Sequence, residues 1–328
     1  MIRYFNCILF AALIFLGGNS CSKDKNTIDT PVEKLDTLST GWSKMTFPGV
    51  QLNDIYFQDN TTGYVIGSSN YKSLDGGVTW TKLSATFPAA VNLTVTNDGK
   101  LFVCGHNNII YRSSDGGAVF SPINMGTAII DDTYFLDNNI GYTVADVGLL
   151  QTIDGGVNWA KVSPAAGLPF ALFSRYNTCS FINSNTGWVA SDSMIYKSNG
   201  SINSWTASTF TGTKPSDEIF CVFPVSTQIV YLGCGDGKIY KSTNGGASFA
   251  YVNSFPKIST TIFLDLHFID ASLGYASYGN HIYKTTDGGN SWQMVVSLKD
   301  ADISEIHFTD ASHGWACSSL GHILKFKL

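Results

Sequence analysis

The stretch KSLDGGVTW, Lys72 to Trp80, sets a carboxylate, two glycines and a tryptophan side by side. Asp75 is placed to accept hydrogen bonds from nearby backbone N–H groups, and Gly76 and Gly77 supply the positive φ of a tight turn. Flanked by Lys72-Ser73 and Val78 to Trp80, it reads as the corner between two antiparallel strands. Variants follow as RSSDGGAVF from Arg112, QTIDGGVNW from Gln151, KSTNGGASF from Lys241 and KTTDGGNSW from Lys284. A degraded copy, KSNGSINSW, begins at Lys197 and carries Gly200 where the others have Asp or Asn. The spacing of about 40 residues is that of propeller blades or solenoid units.

A second pattern precedes most copies. FQDNTTGY from Phe57, FLDNNIGY from Phe135, FINSNTGW from Phe181, FIDASLGY from Phe268 and FTDASHGW from Phe308 share an aromatic, a polar turn, a glycine and another aromatic. Each unit then reads strand, turn, strand, short loop, strand, DGG turn, strand, the four-stranded pattern of a propeller blade. Seven units begin near Asn53, Asn92, Asp132, Thr178, Phe220, Leu264 and Ile303. The seventh reaches Leu328 without a DGG turn or a fourth strand. GWSKMTFPG, Gly41 to Gly49, matches the segments that follow the other turns, with Trp42 in the place of Trp80 and Trp159. The expectation is an all-β, seven-bladed propeller over residues 41–328, its ring closed by the N-terminal strand, which removes the open edges of a linear array.

The Ser/Thr-x-Asp-x-Gly-x-x-Trp pattern is complete from Ser73, Thr152 and Thr285 and resembles the Asp-box of the BNR repeat. With the aromatic-glycine half, the chain resembles the photosystem II stability and assembly factor family of propellers from Trp42 to Leu328. That resemblance implies the fold and leaves the function open, because propellers host many functions. Asp75, Asp115, Asp154, Asn244 and Asp287 are expected to be structural turn locks. The photosynthetic members of the family carry an arginine patch for their client. Beyond Arg3 this chain has only Arg112 and Arg175, so that patch has no counterpart and a sialidase-type arginine cluster is excluded.

The chain opens MIRYFNCILFAALIFLGGNSC, with a positive start, an apolar run to Leu16 and small residues before Cys21. The run is too short to span a membrane and suits a secretory signal over residues 1–20. Gly-Gly-Asn-Ser before Cys21 resembles a bacterial lipobox, so Cys21 is the expected lipidation site. Residues 21–40 read as a polar tether, and the location as the cell envelope, on the outer membrane. The remaining cysteines, Cys104, Cys179, Cys221, Cys234 and Cys317, lie in apolar strands and read as buried thiols. No C-x-x-C occurs, and neither a metal nor a cofactor is expected. The net charge of −5, without a basic run in the mature part, excludes nucleic acid as a partner class and leaves a lipid as the membrane contact.

Two groups of residues stand outside the repeat's own needs. The loops between second and third strands carry His106, Asp146, Asp192, Asp236, His281 and His322, which would surround the channel mouth and hold a small polar ligand. The bland alternative is that short loops favour these residue types. The connections after blades three to five are long for the repeat. They carry Phe170, Phe173, Arg175 and Tyr176, with Phe210 on the next, the residue types of a protein-binding patch. The functional expectation is a non-catalytic envelope lipoprotein that binds a protein partner or assists assembly. The alternative is a propeller that binds or cleaves extracellular glycans, which would require exposed aromatics and a close carboxylate pair.

Overall fold

The computed structural model describes residues 35–126, 128–162, 178–256 and 264–328. Among these the strands form seven sheets, antiparallel except for one outer pairing; from the innermost strand outwards the order follows the sequence, except that three sheets carry an outermost strand from earlier in the chain. The innermost strands are Leu52–Phe57, Ala90–Val95, Ile130–Phe135, Thr178–Asn183, Ile219–Pro224, Leu264–Phe268 and Ile303–Asp310. Each touches its two neighbours, and the last returns to the first, so the ring is closed around a channel. The sequence boundaries hold at every blade.

Closure is made as the repeat pattern requires. Trp42–Thr46 pairs antiparallel with His322–Lys327, bringing Trp42 opposite Phe326 and Thr46 opposite His322. Trp42 is buried beside Tyr275, Phe308 and Phe326, at ring separations of 6.5, 6.2 and 5.2 Å. Two blades gain a fifth, outermost strand. Thr37–Leu38 joins blade six, and Thr209–Thr211 runs parallel to Ser248–Ser254 in blade five.

The two repeated motifs are the devices that join blades. Phe57 and Gly63 are cross-strand partners, and a Cβ on Gly63 would fall 2.3 Å from the Phe57 ring, so the glycine lets the ring lie flat across the sheet. The aromatic that follows the glycine then stacks on the corresponding phenylalanine of the next blade. Trp315 lies 3.6 Å from Phe57, Tyr142 3.9 Å from Phe181, Tyr231 3.9 Å from Phe268 and Tyr275 4.0 Å from Phe308. Its polar tip reaches the next blade's DGG turn. Trp315 Nε1 donates to the carbonyl of Gly76 at 3.0 Å, Trp188 Nε1 to Gly245 at 3.2 Å and Tyr231 OH to Gly288 at 2.8 Å. The basic residue that opens the motif donates to the same carbonyls: Lys72 to Gly116, Arg112 to Gly155 and Lys241 to Gly288. Arg112 is thus a clip between blades two and three.

The turn itself behaves as read. Asp75 Oδ1 accepts the N–H groups of Val78 and Thr79 at 3.0 and 2.8 Å, while Ser73 Oγ accepts Gly77 N–H at 2.7 Å. Gly76 and Gly77 hold φ of +71° and +83°. Asp115, Asp154, Asn244 and Asp287 repeat the arrangement. Hydrogen bonds, led by that from Thr79 Oγ1, hold Asp75 down at about 2. In the degraded fourth copy Ser198 Oγ instead accepts Gly187 N–H and donates to Asn185 C=O, so the turn survives without a carboxylate.

Candidate functional site: the central channel

First strands begin at one end of the ring, which we call the upper face, and the DGG turns lie at the other. The channel between the first strands encloses about 700 Å³. In five blades the first strand has a β-bulge after its opening residue, between Leu52 and Asp54, Ala90 and Asn92, Ile130 and Asp132, Ile219 and Cys221, and Ile303 and Glu305. A bulge re-aims the following side chain. Aligned on the pairing register with the second strand, one position reads Asp54, Asn92, Asp132, Thr178, Cys221, Asp265 and Glu305 around the channel.

These side chains stitch each blade to the next. Asp54 Oδ2 accepts Leu93 N–H at 2.6 Å, Asn92 Oδ1 accepts Thr133 N–H at 3.2 Å, Asp132 Oδ2 accepts Cys179 N–H at 3.0 Å and Asp265 Oδ2 accepts Ile306 N–H at 3.2 Å. Asp132 also receives Thr178 Oγ1 at 3.1 Å and Asn92 Nδ2 at 3.0 Å. The carboxyls face the channel and not bulk water, which makes their charged forms costly. Burial pushes Asp54 up to about 7 and Asp265 up to about 6, and it raises Asp132. Glu305 is raised well above its ordinary value by burial and by the adjacent Asp265.

Two residues further along each strand, the channel wall carries Tyr56, Thr94, Tyr134, Ser180, Phe223, His267 and His307. His307 stacks on Tyr56 at 4.4 Å, approaches His267 at 5.4 Å and donates from Nε2 to Phe57 C=O at 2.9 Å. Burial lowers His267 to about 3 and His307 to about 4, so both are neutral at pH 7. Both join blades, as their positions before the strand's aromatic predict.

Of the six loop residues expected at the mouth, the channel wall contains His106, whose Nε2 lies 3.5 Å from Asp131 Oδ1. The other five are held locally. Asp146 Oδ1 accepts Ile129 N–H at 2.9 Å, and Asp192 occupies a tight turn with φ of +51°. Asp236 binds Lys238 Nζ and Ser216 Oγ, both at 2.5 Å. His281 packs against Tyr283, and His322 joins Thr46 Oγ1 at 2.8 Å and Asp300 at 3.2 Å. Among the described residues no group of three His, Cys, Asp or Glu side chains is arranged to hold a metal ion. The turn carboxylates Asp59, Asp137, Asp270 and Asp310 each accept N–H groups within their own turns. The five cysteines are free thiols, and burial raises all of them.

Of the patch expected on the long connections, Phe170, Phe173, Arg175 and Tyr176 lie outside the described residues, as does Cys21. Phe210 is half-buried on the fifth strand of blade five, 5.4 Å from Tyr240 and 6.0 Å from Phe249. The chain leaving blade four turns back along blade five's edge, which places Phe210 in that blade's packing. Phe255, on the following connection, is buried against Tyr283 at 4.1 Å.

No family model matches the chain. It is 23% identical over 292 residues to the photosystem II assembly lipoprotein Ycf48 of Synechococcus sp. (strain CC9902), covering 83% of this chain and 84% of that protein. The solved structure of YCF48 bound to a D1 peptide superposes with a TM-score of 0.69 at 17% identity, over 92% of this chain and 100% of that one. YCF48 from Cyanidioschyzon merolae superposes with a TM-score of 0.67 at 20% identity, over 88% and 99% of the two chains. The resemblance to the photosystem II assembly factor propellers, drawn from the repeat motifs, therefore extends to sequence and architecture along most of the chain.

Proposed function

We propose that this chain is a non-catalytic, lipid-anchored propeller of the cell envelope that binds a protein partner during assembly of a complex. The carrying observation is its likeness, from end to end of the propeller, to an assembly lipoprotein and to a homologous fold with a peptide bound. The disposition of the carboxylates supports the reading. Those of the DGG turns are spent on their own N–H groups, and Asp54, Asp132 and Asp265 are spent on the neighbouring blade. The close carboxyl pair in the channel, Asp265 and Glu305, is in mutual contact, whereas a hydrolase of glycans needs two carboxyls about 5 to 9.5 Å apart, one on each side of the sugar bond.

On this reading Cys21 carries the lipid, on the outer membrane, and the partner meets residues 163–177 through Phe170, Phe173, Arg175 and Tyr176. Lys161, where blade three's fourth strand ends, and Thr178, where blade four's first strand begins, both lie on the upper face. Capture from detergent-solubilised native envelope, with the mature chain as bait, tests the proposal. Enrichment of a membrane-complex subunit is expected. Enrichment of polysaccharide without protein would overturn it.

A further inference from the structure

The stitch that joins first strands does not run forward at every blade: Thr178 turns back to Asp132 of blade three, and blade seven also departs from the pattern. Asp54, Asn92, Asp132 and Asp265 each reach the backbone of the following blade, whereas the carboxyl of Glu305 in blade seven faces the channel beside that of Asp265 in blade six, whose Oδ2 accepts the N–H of the adjacent Ile306 at 3.2 Å, and is in contact with it. Two carboxyl groups can hydrogen bond to one another only when one of them keeps its proton. Asp265 accepts N–H groups from Leu266 at 2.7 Å and from Ile306 at 3.2 Å, which favours its ionised form. The proton therefore resides on Glu305, which donates to Asp265.

The surroundings offer no substitute for that proton. Facing the pair are Asp54 from blade one, Asp132 from blade three, the Cys221 thiol from blade five and the Cys317 thiol from blade seven's second strand. His267 and His307 lie two residues further along the same strands, and both are neutral. Among the described residues that line the channel there is no lysine or arginine. A second negative charge at this point would meet other carboxyls with no cationic side chain among the described lining residues, and repulsion between like charges is poorly screened there.

We propose that Asp265 and Glu305 form a one-proton latch between blades six and seven, closed while Glu305 holds its proton and released as pH rises. Blade seven is also the blade completed by the N-terminal strand, so the latch acts on the part of the ring where closure is made. The sign follows from linkage. Glu305 is raised in the folded chain, so its contribution to stability is complete below the ordinary glutamate range and is lost as pH climbs through the folded value. Deprotonation leaves Asp265 its two backbone N–H partners but removes the only donor that Glu305 supplied across the seam.

Glu305→Gln in the mature chain tests this, because the amide keeps a donor for Asp265 and cannot ionise. The melting temperature of the wild type should fall more steeply than that of E305Q between pH 5 and pH 9, so that the gap in favour of E305Q widens with pH. A constant gap across that range would overturn the latch. Infrared spectra supply an independent reading: the wild type at pH 7 should show a protonated-carboxyl band that is weaker in E305Q. An unchanged band would show that Glu305 does not hold the proton.

Discussion

Replacing Trp42 by alanine attacks the ring where its two ends meet. Trp42 is 8% exposed and contacts Tyr275 of blade six and Phe308 and Phe326 of blade seven, so a single side chain packs across the seam. Truncating a buried tryptophan costs about 3–5 kcal/mol, since the apolar surface and the cavity both count. The surrounding cluster, which includes Ile282, Val296, Ile306 and Leu324, is fully buried and can collapse little into the space. Set against a typical total of about 5–15 kcal/mol, the loss is large. For a domain of this size it corresponds to a fall in melting temperature of roughly 5–8 °C. Circular dichroism melts of the wild type and Trp42→Ala would measure it, with Val78→Ser, on a side chain 62% exposed at a turn, as the neutral control. If Trp42→Ala melts with the control, the N-terminal strand does not carry closure and the reasoning fails.

Trp315→Phe keeps the stack on Phe57 but removes the donor to Gly76 C=O, leaving a buried carbonyl short of a partner; a loss of about 1–3 kcal/mol is expected by urea titration. Trp80→Phe, at the half-exposed rim where Gly77 C=O can turn to water, should cost less, and equal losses would refute the clip between blades. Cys21→Ala should move the protein from the membrane to the soluble fraction. Unchanged fractionation, with no lipid mass at the mature N-terminus, would contradict the anchor.

The architecture was legible because its devices are local and repeated. Asp75 with Gly76 and Gly77, and Phe57 with Gly63, are contacts within a few residues of chain, and they recur in register in most blades. Trp42 disclosed closure because it repeats the place of Trp80. The channel carboxyls were not legible for two physical reasons. Their position reads Asp, Asn, Asp, Thr, Cys, Asp and Glu, so no single residue type runs through the seven blades, and the bulge before it breaks the alternation that would mark a channel-facing side chain. Alignment of the seven first strands would have exposed one position that holds Asp, Asn, Thr or Glu in six of them. The loop residues His106 to His322 misled in the other direction. They share a place in the repeat, yet Asp146, Asp236, His281 and His322 turn to neighbours within their own blade or the adjoining one, and Asp192 sits in a tight turn. Phe210 likewise belonged to a long connection, but a parallel strand pairing, which leaves no mark on local sequence, drew it into blade five.

The proposed role rests most directly on residues 163–177. Native-envelope capture with the wild type and with a Phe173→Ala/Tyr176→Ala variant, compared by quantitative mass spectrometry, measures it. The account predicts that both proteins fold with the same melting temperature and that a protein partner enriched by the wild type is lost by the variant. Retention of the same partner by a folded variant, or no protein enriched by either, would contradict it.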